Sequence, residues 1–174
     1  MGSNYRLIGL QSIAFGPAYV ATAGIPTAVN MTSVNAIVPD SAVLAIEMPG
    51  KTELMVEDSD FADIVVNEPG GASLEFATRD FTPENLRIGM GGSTTATQWQ
   101  APNDPVVVTE KSVQAISKSY GGKKVRVDIV RGALRGGGQL RFSKTESGML
   151  SYQLDVLRPH MPATDYPIVV AIQT

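Results

Sequence analysis

Apolar and polar residues alternate along much of the chain, and a period of two is typical of a β-strand with one buried and one solvated face. The clearest example is Lys124–Val130, in which valine and isoleucine alternate with arginine and aspartate. Leu150–Val156 repeats the pattern, and Gln139–Ser143 lies between the two, followed by a turn at Glu146-Ser147-Gly148. The stretch 123–157 is therefore predicted to be an antiparallel meander.

Further apolar segments are bounded by turn residues such as Pro49-Gly50, Pro69-Gly70-Gly71 and Gly121-Gly122. The segment from Leu7 to Phe15 is interrupted by polar residues, so we interpret it as a buried strand and not as a membrane span or a signal peptide. Strands are also predicted at Ala42–Met48, Thr52–Val56, Ile64–Asn67, Ser73–Thr78, Val106–Ile116 and Ile168–Ile172. Short strands at this spacing favour a sandwich or a barrel.

One short helix is predicted against this β background. Thr82 is a good N-cap, Pro83 occupies the first helical position, and Phe81 and Leu86 hold the two positions of a hydrophobic staple. The glycines in Gly89-Met90-Gly91-Gly92 are expected to end the helix. The predicted fold class is thus mainly β, an antiparallel β-sandwich or barrel with one short flanking α-helix.

Length and composition favour a single domain over residues 1–174. Irregular arms or loops are expected near 17–41, 92–105 and 158–167, which are rich in proline, glycine and small polar residues. Charged residues make up only 18% of the chain, which is sparse for a free-standing monomer. We therefore expect other subunits to cover part of the surface.

The sequence predicts no catalytic residue, metal site or cofactor. The chain has no cysteine, and its one histidine, His160, lies in a proline-bracketed loop without a visible catalytic or ligand partner. The acidic segment Glu57–Asp63 departs from a calcium-binding loop at Ala62 and Asp63. Gly89–Thr94 follows a helix and lacks the lysine of a phosphate-binding loop. We therefore expect a protein that is not an enzyme.

Two other features have structural interpretations. Gly136-Gly137-Gly138 lies between arginines in a β context and is interpreted as a flexible hairpin tip or a β-bulge. Trp99 is the only tryptophan and is interpreted as a buried anchor or an interface residue.

Charge is distributed unevenly along the chain. Residues 52–78 contain seven acids and no lysine or arginine, whereas residues 118–144 contain eight bases and one acid. The two segments therefore carry about −7 and +7. The acids of the first segment include Glu53, Glu57, Asp58, Asp60 and Asp63, and the bases of the second include Arg131, Arg135 and Arg141.

Three interpretations of this charge pattern stay open at this point. The two segments could be neighbouring hairpins within one subunit. They could instead lie on opposite sides of the subunit and meet their complements on identical copies, a contact that closes into rings or propagates into filaments. The third alternative, that the basic segment binds nucleic acid, would need more concentrated charge.

The segment Met48–Val66, MPGKTELMVEDSDFADIVV, is followed by a strand at Gly71–Asp80 and the capped helix at Thr82–Met90. This order of elements resembles the major tail tube proteins of long-tailed, non-contractile bacteriophages. The resemblance covers about half of the chain and contains no diagnostic motif. It implies a β-sandwich or small barrel with a helix on its flank, six copies of which form a ring with a continuous inner β-barrel.

The resemblance also implies partners and locations. Homo-hexameric rings would stack into a hollow tail tube of the virion, assembled in the cytoplasm of the host bacterium, with a tape measure protein, a tail tip and a tail terminator as partners. Double-stranded DNA would pass through the lumen, and no membrane insertion is expected. The 52–68 hairpin and the Thr82–Met90 helix, with Leu86, are implied ring contacts, and the N-terminal segment and the 158–167 loop are implied arms.

Two alternatives remain beside this function. One is the related tube protein of a type VI secretion system, and the other is a ligand-binding β-sandwich module. Aromatic residues make up only 6% of the chain, which leaves the binding module few side chains to stack on a sugar.

Overall fold

The computed structural model describes residues 9–18, 31–48, 50–55, 62–68, 70–103, 108–140, 148–159 and 166–173. These ranges contain strands β1 (Leu10–Pro17), β2 (Thr32–Val34), β3 (Val43–Ile46), β4 (Gly50–Met55), β5 (Ala62–Glu68) and β6 (Ala72–Thr78), followed by helix α1 (Pro83–Met90). The remaining strands are β7 (Ser93–Thr94), β8 (Trp99–Gln100), β9 (Thr109–Ser117), β10 (Lys124–Gln139), β11 (Met149–Val156) and β12 (Ile168–Gln173).

The protein is mainly β, as the alternation of its residues predicts. Eight strands form one antiparallel sheet in the order β2-β1-β9-β10-β11-β6-β3, with β12 paired to β10. β4 pairs with β5, and β7 pairs with β8, in two separate two-stranded sheets. The strands β2, β7 and β8 lie inside regions predicted to be irregular, 17–41 and 92–105, so those two predictions were wrong at these residues.

The long strand β10 organises the sheet. One of its edges pairs with β9, while the other edge pairs first with β12, over Lys124–Ile129, and then with β11, over Gly132–Gln139. The register with β9 shifts between Ile129 and Gly132, which places a bulge where the partner changes. β11 and β12 therefore occupy the same side of β10 in succession.

Two predictions for this region were wrong. Gly136-Gly137-Gly138 is neither a hairpin tip nor a bulge, because all three glycines pair in register with Leu150–Tyr152 of β11. The separate strand predicted at Gln139–Ser143 does not begin at Gln139, which is instead the last residue of β10. Residues 141–147 lie outside the described ranges.

The chain from β2 to β3 folds the sheet over on itself. β2 pairs with β1, and the same stretch then reaches β6 through a bridge between Ile37 and Thr78 and through the β3 ladder. Phe15 of β1 accordingly contacts Phe76 of β6, with 5.7 Å between the ring centroids. The two halves of the sheet thus face each other across a common core, in a sandwich or barrel arrangement.

The core consists of alternate residues of the facing strands. Phe15, Phe76 and Tyr152 form an aromatic cluster, in which the rings of Phe76 and Tyr152 stack at 5.0 Å. The other buried apolar residues of this core are Ile13, Val34, Leu74, Ile88, Val113, Ala115, Val127, Ile129, Leu134, Leu150 and Leu154.

Helix α1 begins as the sequence predicts. The backbone N–H of Asn85 donates to the Thr82 hydroxyl at 3.4 Å, and Phe81 and Leu86 pack against the core. Gly91 caps the carboxyl end, so Gly89 lies inside the helix. Gly89 instead allows close packing, because a Cβ there would lie 2.8 Å from the Tyr152 ring. Tyr152 also donates its hydroxyl hydrogen to the Asn85 carbonyl at 3.0 Å.

Candidate assembly surfaces

Two of the acidic residues predicted as contacts, Glu53 and Asp63, belong to a hairpin that is separate from the main sheet. β4 and β5 continue the β3–β6 pair through a hydrogen bond from the Glu47 N–H to the Gly71 carbonyl at 2.8 Å. Glu53 lies on β4 and Asp63 on β5, so the ladder brings the two strands that carry them together. Glu57, Asp58 and Asp60 lie outside the described residues.

The hairpin and helix α1 extend from opposite ends of β6. β5 leads into Ala72 at the start of β6, whereas Thr78 at its end leads to α1. Leu86, predicted as a contact on this helix, is half-buried against the core. The acidic hairpin and the helix therefore belong to different ends of the subunit.

Described arginines of the basic segment are paired within the subunit. Arg131 donates to the Glu110 carboxylate and, at 2.8 Å, to the Arg158 carbonyl. The hydrogen bonds to Glu110 raise the pKa of Arg131 above its usual value. Arg135 forms an exposed ion pair with Asp155 at 3.0 Å. Arg141 lies outside the described residues.

Asp128, the one acid of the basic segment, is fully buried on the sheet face opposite the core residues Val127 and Ile129. Its carboxylate accepts hydrogen bonds from the Arg126 guanidinium and from the Gln114 amide, each at 2.8 Å. A buried carboxylate is retained only where such partners satisfy it. In the sequence, Asp128 stands out as the one acid among eight bases, but its hydrogen-bonding partners, Arg126 and Gln114, could not be identified from the sequence.

Within the eight-stranded sheet, β2, β3 and β12 each have an edge without a partner strand in the part of the chain that the structure describes, and β3 and β12 are the two of them with mainly apolar sequences. β3 pairs only with β6, and β12 pairs only with β10. Neither strand contains a charged residue. Free edges are usually protected by charges, prolines or covering elements, since an unpaired edge is a template for another strand.

Both edges also expose apolar side chains. On β3, Val43 is 54% exposed and Ile46 is 66% exposed. On β12, Val170 is 60% exposed and Ile172 is 46% exposed. In an antiparallel ladder, directly paired residues share a face, so Val170 and Ile172 lie on the core face with their partners Val127 and Val125.

A cleft of about 420 Å³ opens beside this part of the core. Val125 and Val127 of β10 form part of its wall, and Ile37, Val38 and Ala42 line it from the chain between β2 and β3. Leu10 and Ala115 are also in its mostly apolar lining, together with Lys118 and Asp40. Val170 and Ile172 lie on the same sheet face, one strand beyond the two valines that line the cleft.

The described residues contain no evident metal-binding cluster. No group of three or more histidine, cysteine, aspartate or glutamate side chains there could hold a metal ion. His160 lies outside the described ranges.

Trp99 was predicted to be a buried anchor or an interface residue. It is half-buried and donates its indole N–H to the Gly91 carbonyl at 2.8 Å.

Within the described ranges, helix α1 has eight residues, well short of the ~20 that span a bilayer.

No protein-family model matches the chain, and a search of curated proteins finds no match either.

Proposed function

We propose that the protein is a non-enzymatic structural subunit that assembles into hexameric rings, and that stacked rings form the tail tube of a long-tailed bacteriophage. The observation that carries the proposal is the pair of uncharged, apolar strand edges on β3 and β12. Such edges are hazards in a monomer and are the natural contact of a protein that works in an assembly. Two different edges on one chain favour a repeated contact between identical copies.

The position of the acidic hairpin supports stacking along a tube axis. The hairpin precedes one end of β6, while the chain leaves the other end of β6 toward α1, which packs against β10. The segment from Thr52 to Thr78 contains seven acids and no base. An element of this shape and charge is suited to contact a neighbouring ring. The proposed partners are the tape measure, tail tip and tail terminator proteins, with DNA passing through the lumen of the finished virion tail.

The test is a charge placed at one free edge. Val170→Lys puts an ammonium group on the core-facing side of β12 at a residue that is already 60% exposed, so the subunit should still fold. We expect this variant to remain monomeric in analytical ultracentrifugation at concentrations at which the wild-type chain forms rings.

Val108→Lys is the matched control, because Val108 is 62% exposed and lies outside β3 and β12. It should assemble like the wild-type chain. Equal assembly of the wild-type chain and Val170→Lys would remove the β12 edge as the basis of the proposal.

A further inference from the structure

We propose that β3 of a second copy of this chain pairs with the free edge of β12, and that its side chains cover the open side of the neighbouring cleft. The inference rests on the proposed function and deepens it, since it names the two edges that meet. It starts from β12, which has a strand partner on one side only among the described residues. β11 lies between β10 and β6, whereas β12, which follows β11 along the same side of β10, has no strand in the corresponding outer position among the described residues.

The empty position is apolar on its core side. Val170 and Ile172 lie opposite Val127 and Val125, and these two valines line the cleft of about 420 Å³. A strand added along β12 would supply hydrogen-bonding partners for the backbone edge and would place alternate side chains on the same sheet face as Val170 and Ile172, next to the open side of the cleft. Its cleft-facing residues should be apolar, and it should carry no charge next to β12.

β3 has the required composition and a free edge of its own. Its sequence is Val-Leu-Ala-Ile, and Val43 and Ile46 are largely exposed. β2 is a poorer match, because its exposed residues are Thr32 and Ser33. Within the described ranges, the chain therefore carries both an apolar strand edge without a partner, on β3, and an apolar position without a strand, beside β12.

Strand direction specifies the symmetry of the contact. β3 is antiparallel to β6, β6 to β11, β11 to β10, and β10 to β12, so β3 and β12 run in the same direction within one subunit. Rotation about an axis close to the strand direction preserves that direction. A ring whose axis lies close to the strand direction would join β12 to the neighbouring β3 as a parallel pair, whereas a two-fold dimer would join β12 to β12 as an antiparallel pair.

Engineered cysteines test this pairing directly, because the chain has no cysteine of its own. Ala45→Cys lies on β3 and Ala171→Cys on β12, and a short thiol-reactive cross-linker tolerates small differences in register. The double variant should give a ladder of covalent multimers that ends at the closed ring. Each single variant should give none, and Ala45→Cys with Ser151→Cys, an exposed position on the interior strand β11, should give none as well.

The outcomes separate this inference from the proposed function. Rings without cross-links in the double variant overturn the β3–β12 pairing and leave the ring intact. Covalent dimers of Ala171→Cys alone indicate the two-fold contact and also overturn it. A wild-type chain that forms no rings contradicts the proposed function itself.

A variant that fills the cleft gives an independent measurement. Ala42→Leu adds apolar volume to a residue that lines the cleft, so it should leave the subunit folded and weaken assembly. Ala45→Leu on β3 is the control, since Ala45 alternates with the core-facing Leu44 and lies on the opposite face. Assembly of Ala42→Leu at the wild-type concentration would contradict the inference.

Discussion

At the scale of single residues, close packing between α1 and the sheet depends on two glycines. A Cβ on Gly136 would lie 2.7 Å from the Cα of Gly89, and a Cβ on Gly89 would lie 3.3 Å from the Cα of Gly136. Gly137, one residue along the same strand, has nothing within 4 Å of its hypothetical Cβ. Neighbouring glycines in one run therefore have different roles.

Gly136→Ala should destabilise the protein by about 2 kcal/mol, because the added methyl group pushes the helix away from β10. Gly137→Ala is the matched control. It should be neutral or stabilising by up to about 1 kcal/mol, since alanine is favoured over glycine in an open strand position. Urea unfolding of the two variants measures the difference, and equal stabilities would contradict the helix packing.

The buried phenol of Tyr152 should make the folded protein less stable at alkaline pH. Burial raises the pKa of the Tyr152 phenol above its usual 10.0, and the nearby charge of Asp80 raises it further. Because the pKa of Tyr152 is higher in the folded state than in the unfolded state, ionisation of this phenol favours unfolding. The stability that the neutral phenol provides is therefore fully present below pH 10 and is lost as the pH rises above 10.

Tyr152→Phe should therefore unfold more easily than the wild-type protein at pH 8, by about 1 kcal/mol, because it lacks the hydrogen bond to Asn85. The difference should shrink above pH 10. Unfolding free energies measured from pH 8 to 11 test this prediction, which a pH-independent difference would contradict.

The same substitution, aspartate to asparagine, can be compared at a buried position, Asp128, and at an exposed position, Asp155. Asp128→Asn removes the charge that compensates Arg126 at a fully buried position and should cost about 2 kcal/mol. Asp155→Asn weakens an exposed pair with Arg135 and should cost less than about 1 kcal/mol. Chemical denaturation compares the two variants, and a larger cost for Asp155→Asn would refute the assignment of Asp128 as the structural carboxylate.

At the scale of elements, the strands with strict alternation and the helix with its cap could be predicted from sequence. Lys124–Val130, Leu150–Val156 and Pro83–Met90 all form the expected element. The continuation of β10 through Gly136-Gly137-Gly138 could not be predicted, because it depends on a helix that is distant in sequence. Local glycine preference indicates a turn there, and tertiary packing overrides it.

The hairpin β4–β5 is expected to act in ring stacking and not in folding of the main sheet. Replacing Glu53 and Asp63 with lysine should leave the thermal unfolding of the subunit nearly unchanged, since β4 and β5 form a ladder separate from the eight-stranded sheet. Rings should still form but fail to stack, because the charge of the proposed contact is reversed. Negative-stain electron microscopy distinguishes rings from tubes.

The isosteric pair Glu53→Gln and Asp63→Asn is the control for this experiment. It removes the charge without adding the opposite sign, so its tubes should be shorter than those of the wild-type chain but still present. Tubes of wild-type length from the lysine variant would show that the hairpin acids are not a stacking contact.

For the molecule as a whole, the charge pattern of the sequence indicated only part of the charge distribution of the folded subunit. The sum over residues 118–144 is strongly positive, yet Arg126, Arg131 and Arg135 each have a carboxylate partner within the subunit. Two of those partners, Glu110 and Asp155, lie outside that segment in sequence, so a segment sum could not include them. The free apolar edges, by contrast, depend on which strands pair, and only the folded topology shows them.

Assembly of the purified 174-residue chain can be followed by electron microscopy across a rising concentration series. We expect six-fold rings and stacks of rings for the wild-type chain, and isolated subunits for Val170→Lys under the same conditions. A wild-type chain that stays a single folded subunit at every concentration would contradict the proposed assembly.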